Sequence, residues 1–324
     1  MTIRFDGRVA VVTGGGNGLG RDYCLKLAER GARVVVNDLG GSGSGQGASR
    51  ATADAVVEAI RTAGGQAVAS HDSVATREGG TAIVGTAMKA FGRIDIVVNN
   101  AGFLRNDRFE DLTDQQIDAV LGVHLKGAFH VTQPAYRVMK DQGYGRILFT
   151  ASASGLYGHP WQANYAAAKA GLVGLMNVVA LEGERHGILA NALLPTATTR
   201  LAAEVPQGWM EVTNVSGLLE RIDFAAVADG MGVEHNTPLV LYLLSEQCRS
   251  TQGCYSALAG RYAQVFIASA QGWSNGLRSL ASPEDVATHW EEITDLRRHH
   301  RPRSVYEEFL PAIERIKAAK AATK

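Results

Sequence analysis

Short, nearly unbroken apolar runs recur at residues 9–12, 34–36, 94–98 and 147–149. Each is too short for a helix and too continuous for a strand with one wet face, so they predict parallel strands buried on both sides. Between them, apolar side chains fall at helical spacing, as in Leu19, Tyr23 and Leu27, and later Leu172, Leu175, Met176 and Val179. Parallel strands need crossover connections of one hand, so the alternation predicts an α/β fold: a doubly wound parallel sheet with helices on both faces. No internal repeat is visible.

Three segments depart from that rhythm. Residues 40–47 read Gly-Gly-Ser-Gly-Ser-Gly-Gln-Gly, the composition of a mobile surface insertion, although their place after the second strand also suits a ligand-side loop. Residues 196–236 scatter Trp209, Met210, Leu218, Leu219, Ile222, Phe224 and Met231 among polar positions and predict a helical substrate lid. Ser282-Pro283-Glu284-Asp285 carries a capping serine, a first-turn proline and acids, the start of a late helix. The expected division is a sheet domain over 1–265, including the lid, and a C-terminal helical extension over 266–324.

Composition narrows the class. Thirty-two Lys and Arg balance 32 Asp and Glu in a chain of 324 residues that is 46% hydrophobic, which argues against nucleic acid and anionic membranes as partners. Three cysteines, Cys24, Cys248 and Cys254, suit a reducing compartment and lack the spacing of a zinc site, so no metal is expected. The start has no basic-then-apolar leader pattern, no window reaches about 18 uninterrupted apolar residues, and the last residues are not a Ser-Lys-Leu address. The expected location is the cytoplasm.

Thr13-Gly14-Gly15-Gly16-Asn17-Gly18-Leu19-Gly20 follows the first strand and opens the first helix. That context lets a glycine turn bring backbone N–H groups and a helix N-terminus to a pyrophosphate. Asp38 stands eighteen residues after Gly20 at the end of the second strand. A carboxylate there accepts from ribose hydroxyls and repels a 2′-phosphate, and the turn offers Asn17 rather than a cation, so the expected cofactor is NAD, not NADP.

Tyr165 and Lys169 lie four apart at the start of a predicted helix and share a face. A nearby ammonium stabilises a phenolate, so the expectation is a tyrosine base acidified by lysine. Ser152, thirteen residues before Tyr165, falls at the carboxyl edge of the sheet, where its hydroxyl can hold a reacting oxygen. His159 and Trp161 between them either line the substrate site or anchor the loop.

The glycine turn, Asn99-Asn100-Ala101-Gly102, Ser152 and the Tyr165/Lys169 pair together resemble the short-chain dehydrogenase/reductase superfamily over roughly residues 5–260. The resemblance implies a Rossmann fold, a homodimer or homotetramer, and hydride transfer at a secondary alcohol or ketone. It implies that Asn100, Ala101 and Gly102 flank the adenosine and ribose, that Asp72 and Ser73 face the adenine, that Pro195 and Thr198 approach the nicotinamide, and that Tyr165 and Lys169 also meet the coenzyme, Lys169 at the nicotinamide ribose. The chain departs where many members carry an asparagine in the central helix, since His124 holds that place; it either stands in for a proton relay or packs under the site. Val36 to Gly41, Val123-His124-Leu125, Ser152 to Gly158 and Gln162 to Tyr165 more closely resemble the (3R)-hydroxyacyl-CoA dehydrogenase domain of peroxisomal multifunctional enzymes of type 2, here as a free-standing bacterial form. The implied reaction is oxidation of a (3R)-hydroxyacyl-CoA to the 3-oxoacyl-CoA. A 17β-type hydroxysteroid dehydrogenase and a non-catalytic NAD-binding protein are the alternatives. The basic run Arg297-Arg298-His299-His300-Arg301-Pro302-Arg303 is either solvated surface or a contact for coenzyme A phosphates.

Overall fold

The computed structural model describes residues 2–199, 208, 217, 219–275 and 280–321. Its first compact unit ends at Gln264 and the second begins at Val265.

In the first unit β1 (Val9–Thr13), β2 (Arg33–Asn37), β3 (Gln66–Ser70), β4 (Ile96–Asn99), β5 (Gly145–Thr150), β6 (Ile188–Pro195) and β7 (Gly253–Leu258) lie in the order 3-2-1-4-5-6-7, with all pairings parallel. β8 (Arg261–Val265) adds to β7 through a two-residue turn in which Ala259 and Gly260 both take positive φ (46° and 78°). Such a turn matches strand twist in a hairpin, so β8 runs antiparallel. β1, β4 and β5 are buried along their whole length, as their apolar runs predict.

The crossovers are α1 (Gly18–Glu29), α2 (Arg50–Thr62), α3 (Arg77–Phe91), α4 (Asp114–Leu121), α5 (Gly127–Gln142), α6 (Ala153–Tyr157), α7 (Ala163–Gly183) and α8 (Thr237–Leu244). Tyr23 and Leu27 of α1, Val56 and Ile60 of α2 and Leu241 and Leu244 of α8 close one face over Val12, Val34, Val98 and Leu148. α3, α5 and α7 cover the other, burying Ile83, Val131, Met139, Leu172 and Met176. α7 belongs to the longest apolar helical stretch, Ala163–His186, with mean hydropathy 1.3 over its best window, and packs on β6. The chain leaves β1 toward β2 on one side and returns to β4 on the other. This opens a crevice at the carboxyl ends of β1 and β4.

The opposite end of the sheet is held by a buried charge. Asp95, with no exposed side-chain surface, accepts from Arg8 Nη1 (2.8 Å), Arg93 Nε and Nη2 (2.8 and 2.6 Å) and the Val9 N–H (2.9 Å). Removing the carboxylate leaves two guanidinium groups facing each other and an orphaned strand N–H. Asp95→Ala is expected to cost about 3 kcal/mol, read as a lower urea midpoint, with turnover under native conditions unchanged.

The predicted lid lies partly outside the described residues, at 200–207, 209–216 and 218. Its remainder consists of single turns at Leu219–Arg221, Phe224–Val227, Ala228–Gly230 and Val233–His235. In the second unit Ser282 caps the helix Pro283–Thr288 in a reciprocal capping box with Asp285, as its pattern predicts. Ser269–Ala270 bridges His299–His300, and Leu310–Ala321 forms the last helix. Within the basic run, Arg297 is matched by Asp295 (2.8 Å) and Arg301 lies over the Phe266 ring (4.0 Å to its centroid).

Candidate active site

A cavity of about 220 Å³ occupies the crevice. Gly14, Asn17, Gly18, Leu19, Asp38, Asp72, Ser73, Asn100, Ala101 and Gly102 all line it, so most residues predicted to bind the coenzyme are brought to one place. Gly14 has φ +63°, and a Cβ there would stand 2.8 Å from the Ala101 Cα. A Cβ on Gly20 would lie 2.1 Å from the Gly14 carbonyl oxygen. Gly20 therefore lets α1 close onto the turn without lining the cavity itself. Pro195, opposite Ala257 at the end of β6, and Thr198, whose N–H donates to Met231 O (2.7 Å), do not line it either; Thr199 does.

The donor set fits a dinucleotide. Asn17 precedes α1 without a side-chain cap bond, and the first turn carries no acid. Its free N–H groups and the helix dipole suit a diphosphate. Against the turn stands the half-buried carboxylate of Asp38, which accepts from Gly16 N–H (2.9 Å) and Gly40 N–H (2.7 Å). Asp72 accepts from the Ser70 hydroxyl (3.0 Å), and its carbonyl takes Asn37 Nδ2 (2.9 Å), which fixes the segment after β3.

Thr13 had no role in the sequence reading beyond its place in the motif, yet it organises the third wall. Its Oγ1 accepts from the N–H groups of Asn100 (3.0 Å) and Ala101 (3.1 Å) and donates to Val98 O (3.3 Å). Asn100 Nδ2 returns to the carbonyls of Thr13 (3.1 Å) and Gly14 (3.2 Å). The ends of β1 and β4 are thus bolted together where the ligand wall begins. Phe103, Val74 and Val123 also line the cavity, and their apolar character gave no signal separate from core positions.

Ser152 is the N-cap of α6, its Oγ accepting from Ser154 N–H (3.2 Å). α7 carries Tyr165 and Lys169 in its first two turns. Ser152 lies near enough to act on the Tyr165 hydroxyl, and Lys169 Nζ stands 5.3 Å from the Tyr165 ring centroid and donates to Thr150 O. Three residues from two helices of the single β5–β6 connection therefore meet at the carboxyl edge of β5. Burial works against the expected acidification. Burial pushes the Tyr165 hydroxyl above its ordinary value, and Ser152 is the group that pulls the other way. Burial also brings Lys169 down to about 7, so its charge is held only in part near neutrality.

His124 lies in a π-helical segment, Gly122–Lys126, between α4 and α5. The extra residue per turn rotates it beneath the site, a feature associated with functional positions. Its ring is buried and stands edge-on to Tyr165 with centroids 5.2 Å apart. Nε2 lies 2.8 Å from Phe103 O, to which it donates in one tautomer, and 3.1 Å from Phe103 N, from which it accepts in the other. Burial, reinforced by Lys169, lowers its pKa to about 3, so the ring is neutral at physiological pH. The ring packs under the site, and its buried Nδ1 has no hydrogen-bond partner among the described residues, so both sequence readings stay open. Trp161, φ +65°, holds Asp107 N–H on its carbonyl (3.0 Å) and takes Arg108 over its ring (5.7 Å).

The short chain dehydrogenase family model matches residues 8–208. The chain belongs to the short-chain dehydrogenase family. It is 44% identical over 296 residues to the peroxisomal multifunctional enzyme type 2 of Drosophila melanogaster, covering 91% of this chain and 46% of that protein. The solved full-length structure of that enzyme superposes with a TM-score of 0.78 at 34% identity, over 98% of this chain and 50% of the other. The short-chain type dehydrogenase/reductase Rv0148 of Mycobacterium tuberculosis is 44% identical over 291 residues, 89% of this chain and 94% of that protein. Hydroxyacyl-CoA dehydrogenase ChsB1 of the same organism is 36% identical over 264 residues, 78% and 77% of the two chains. The chain thus spans about half the length of the multifunctional relatives it matches. As a short-chain dehydrogenase it is an oxidoreductase of secondary alcohols that uses a nicotinamide coenzyme.

Proposed function

We propose that the protein is an NAD-dependent (3R)-hydroxyacyl-CoA dehydrogenase that forms the 3-oxoacyl-CoA. The single observation that carries the reading is the convergence of Ser152, Tyr165 and Lys169 at the sheet edge that also carries a cavity lined by the glycine turn and Asp38. The names of the hydroxyacyl-CoA relatives support the substrate class. The α1 N-terminus would hold the diphosphate, Asp38 the adenosine ribose, and the 100–102 wall the rest of the coenzyme. NAD, when bound, supplies the hydride acceptor. Ser152 Oγ orients the alcohol oxygen, Tyr165 Oη takes its proton, and Lys169 Nζ sets the polarity around that hydroxyl. Asp38, rather than a cation, at the ribose end supports NAD over NADP.

The same reading takes the protein to be a cytoplasmic homodimer or homotetramer. Support for self-association is the exposed apolar surface on α5 and α7, where Phe129, Val178 and Leu181 remain uncovered. Sedimentation at micromolar concentration tests that point.

The activity test is a kinetic screen of NAD reduction with 3-hydroxyacyl-CoA esters, from short chains to steroid-linked ones, beside 17β-hydroxysteroids. The expected result is the highest kcat/KM on a (3R)-hydroxyacyl-CoA with NAD. A preference for the (3S) epimer, for free steroids or for NADP overturns the assignment.

A further inference from the structure

The Gly/Ser-rich segment 40–49 joins β2 to α2 without regular structure, yet it is tied down along its length. At its root, both oxygens of Asp38 are engaged, one by the turn (Gly16 N–H) and one by the segment itself (Gly40 N–H). It then closes on itself, with Ser49 N–H donating to Leu39 O (2.9 Å) and Gln46 N–H to Ser42 Oγ (3.0 Å). Its far end crosses to the opposite wall. Leu104 N–H donates to Gly43 O (3.0 Å), and Arg105 Nε donates to Ser44 O (3.2 Å). Gly45, φ +78°, lies so close to the Phe103 ring that a Cβ would stand 2.6 Å from its Cδ1. Gly41, Ser42 and Gly45 all line the cavity, as do Asp38 at the root and Phe103 at the landing. A segment with the composition of a linker therefore runs from one cavity wall to the other.

We propose that segment 40–49 is a clasp over the adenosine end of the coenzyme cavity, latched by Leu104, Arg105 and the Phe103 ring, and that it governs coenzyme retention and selectivity. The proposal rests on the coenzyme reading above. Release of the adenosine end requires the latch to open, so the latch sets the off-rate. With each Asp38 oxygen held by a backbone N–H, the carboxylate cannot swing aside, and a coenzyme with a 2′-phosphate meets fixed charge beneath a fixed roof. Neutralising Asp38 alone therefore leaves the roof in place and does not convert the protein to NADP.

The test uses Arg105→Met, which removes the latch donor, and Gly45→Ala, which drives a methyl into Phe103; neither touches Ser152, Tyr165 or Lys169. NADH binding is titrated by fluorescence, its release followed by stopped flow, and amide exchange over 40–49 measured with and without NAD. The expected outcome is a Kd roughly five- to tenfold higher in each variant, carried by the off-rate, the scale of one lost hydrogen bond. In the unsubstituted protein, NAD should slow amide exchange in 41–46. Unchanged Kd in both variants, or NAD binding without protection of 41–46, overturns the clasp alone. Failure of the unsubstituted protein to bind NAD overturns the coenzyme reading and the clasp with it.

Discussion

Tyr165→Phe is expected to lower turnover of a (3R)-hydroxyacyl-CoA by roughly 10³-fold while the Kd for NAD stays within about threefold, the signature of losing a proton-transfer group rather than a binding group. Among the causes of the Tyr165 shift, Ser152 is the side chain that favours loss of the phenol proton. Phenylalanine keeps the ring that packs against His124 and Lys169, so the pocket stays filled. The pH dependence supplies a second readout. Burial holds the Tyr165 hydroxyl protonated at neutral pH. In the oxidation direction the tyrosine must be deprotonated to accept the alcohol proton, so the rate should climb as pH rises above neutrality. In reduction the protonated form is the donor, and the neutral range should be favoured. The residual rate of Tyr165→Phe should lose the alkaline climb. A variant that turns over normally, or keeps the same slope, removes Tyr165 from the mechanism.

Legibility of the fold in the sequence followed burial. β1, β2, β4 and β5 present apolar runs because helices cover both faces, and the polar residues Asp95 and Arg146 fall only at the start of theirs. β6 is just as buried but contains Asn191, whose side chain donates to Ser250 O and accepts from Ser250 Oγ and Gly253 N–H. A polar residue satisfied by the approach to β7 breaks the apolar pattern without breaking the strand. β3, Gln66–Ser70, is only partly buried at the sheet edge and so gave no continuous run.

At the site, the glycine turn, Asp38, Ser152, Tyr165 and Lys169 were legible because each sits at a fixed offset from a strand end. The Thr13 bolt was less so, since a threonine that accepts two backbone N–H groups looks like any strand threonine. The π-helical placement of His124 was hidden from a 3.6-residue reading altogether. Composition misjudged the Gly/Ser segment for a physical reason as well. Glycine and serine lower the cost of disorder, but the contacts that order residues 40–49 come from positions 103–105, some sixty residues away. The direction of the Tyr165 shift was missed because the reference argument sets an ammonium beside a phenol in water, whereas here both groups are buried.

Lys169→Met is expected to cut turnover by roughly 10²- to 10³-fold and, at the same time, to make the protein more stable at neutral pH. The two effects have one cause. Lys169 is buried in the first turns of α7 with Thr150 O as its described hydrogen-bond partner, and burial depresses its pKa from the ordinary 10.5 to about 7. The unfolded chain binds this proton more tightly than the folded one, so the cost of burying the charge is present in full below about pH 7. It shrinks as pH rises, because stability increases wherever the unfolded state holds more protons. Above the unfolded pKa the cost is gone. Methionine fills the same volume without the charge, so its advantage should be on the order of 2 kcal/mol at pH 6, after the lost bond to Thr150 is set against it, and should fade toward pH 10. Urea denaturation of both proteins between pH 6 and pH 10 reads the difference directly. A gain that is flat with pH, or larger at pH 10 than at pH 6, would mean that Lys169 is not titrating in the folded site. The opposed outcomes matter for function: a charge kept at a stability cost, at the edge where Ser152 and Tyr165 meet, is explained by what it does to the polarity around the tyrosine hydroxyl, since the fold alone would favour its removal.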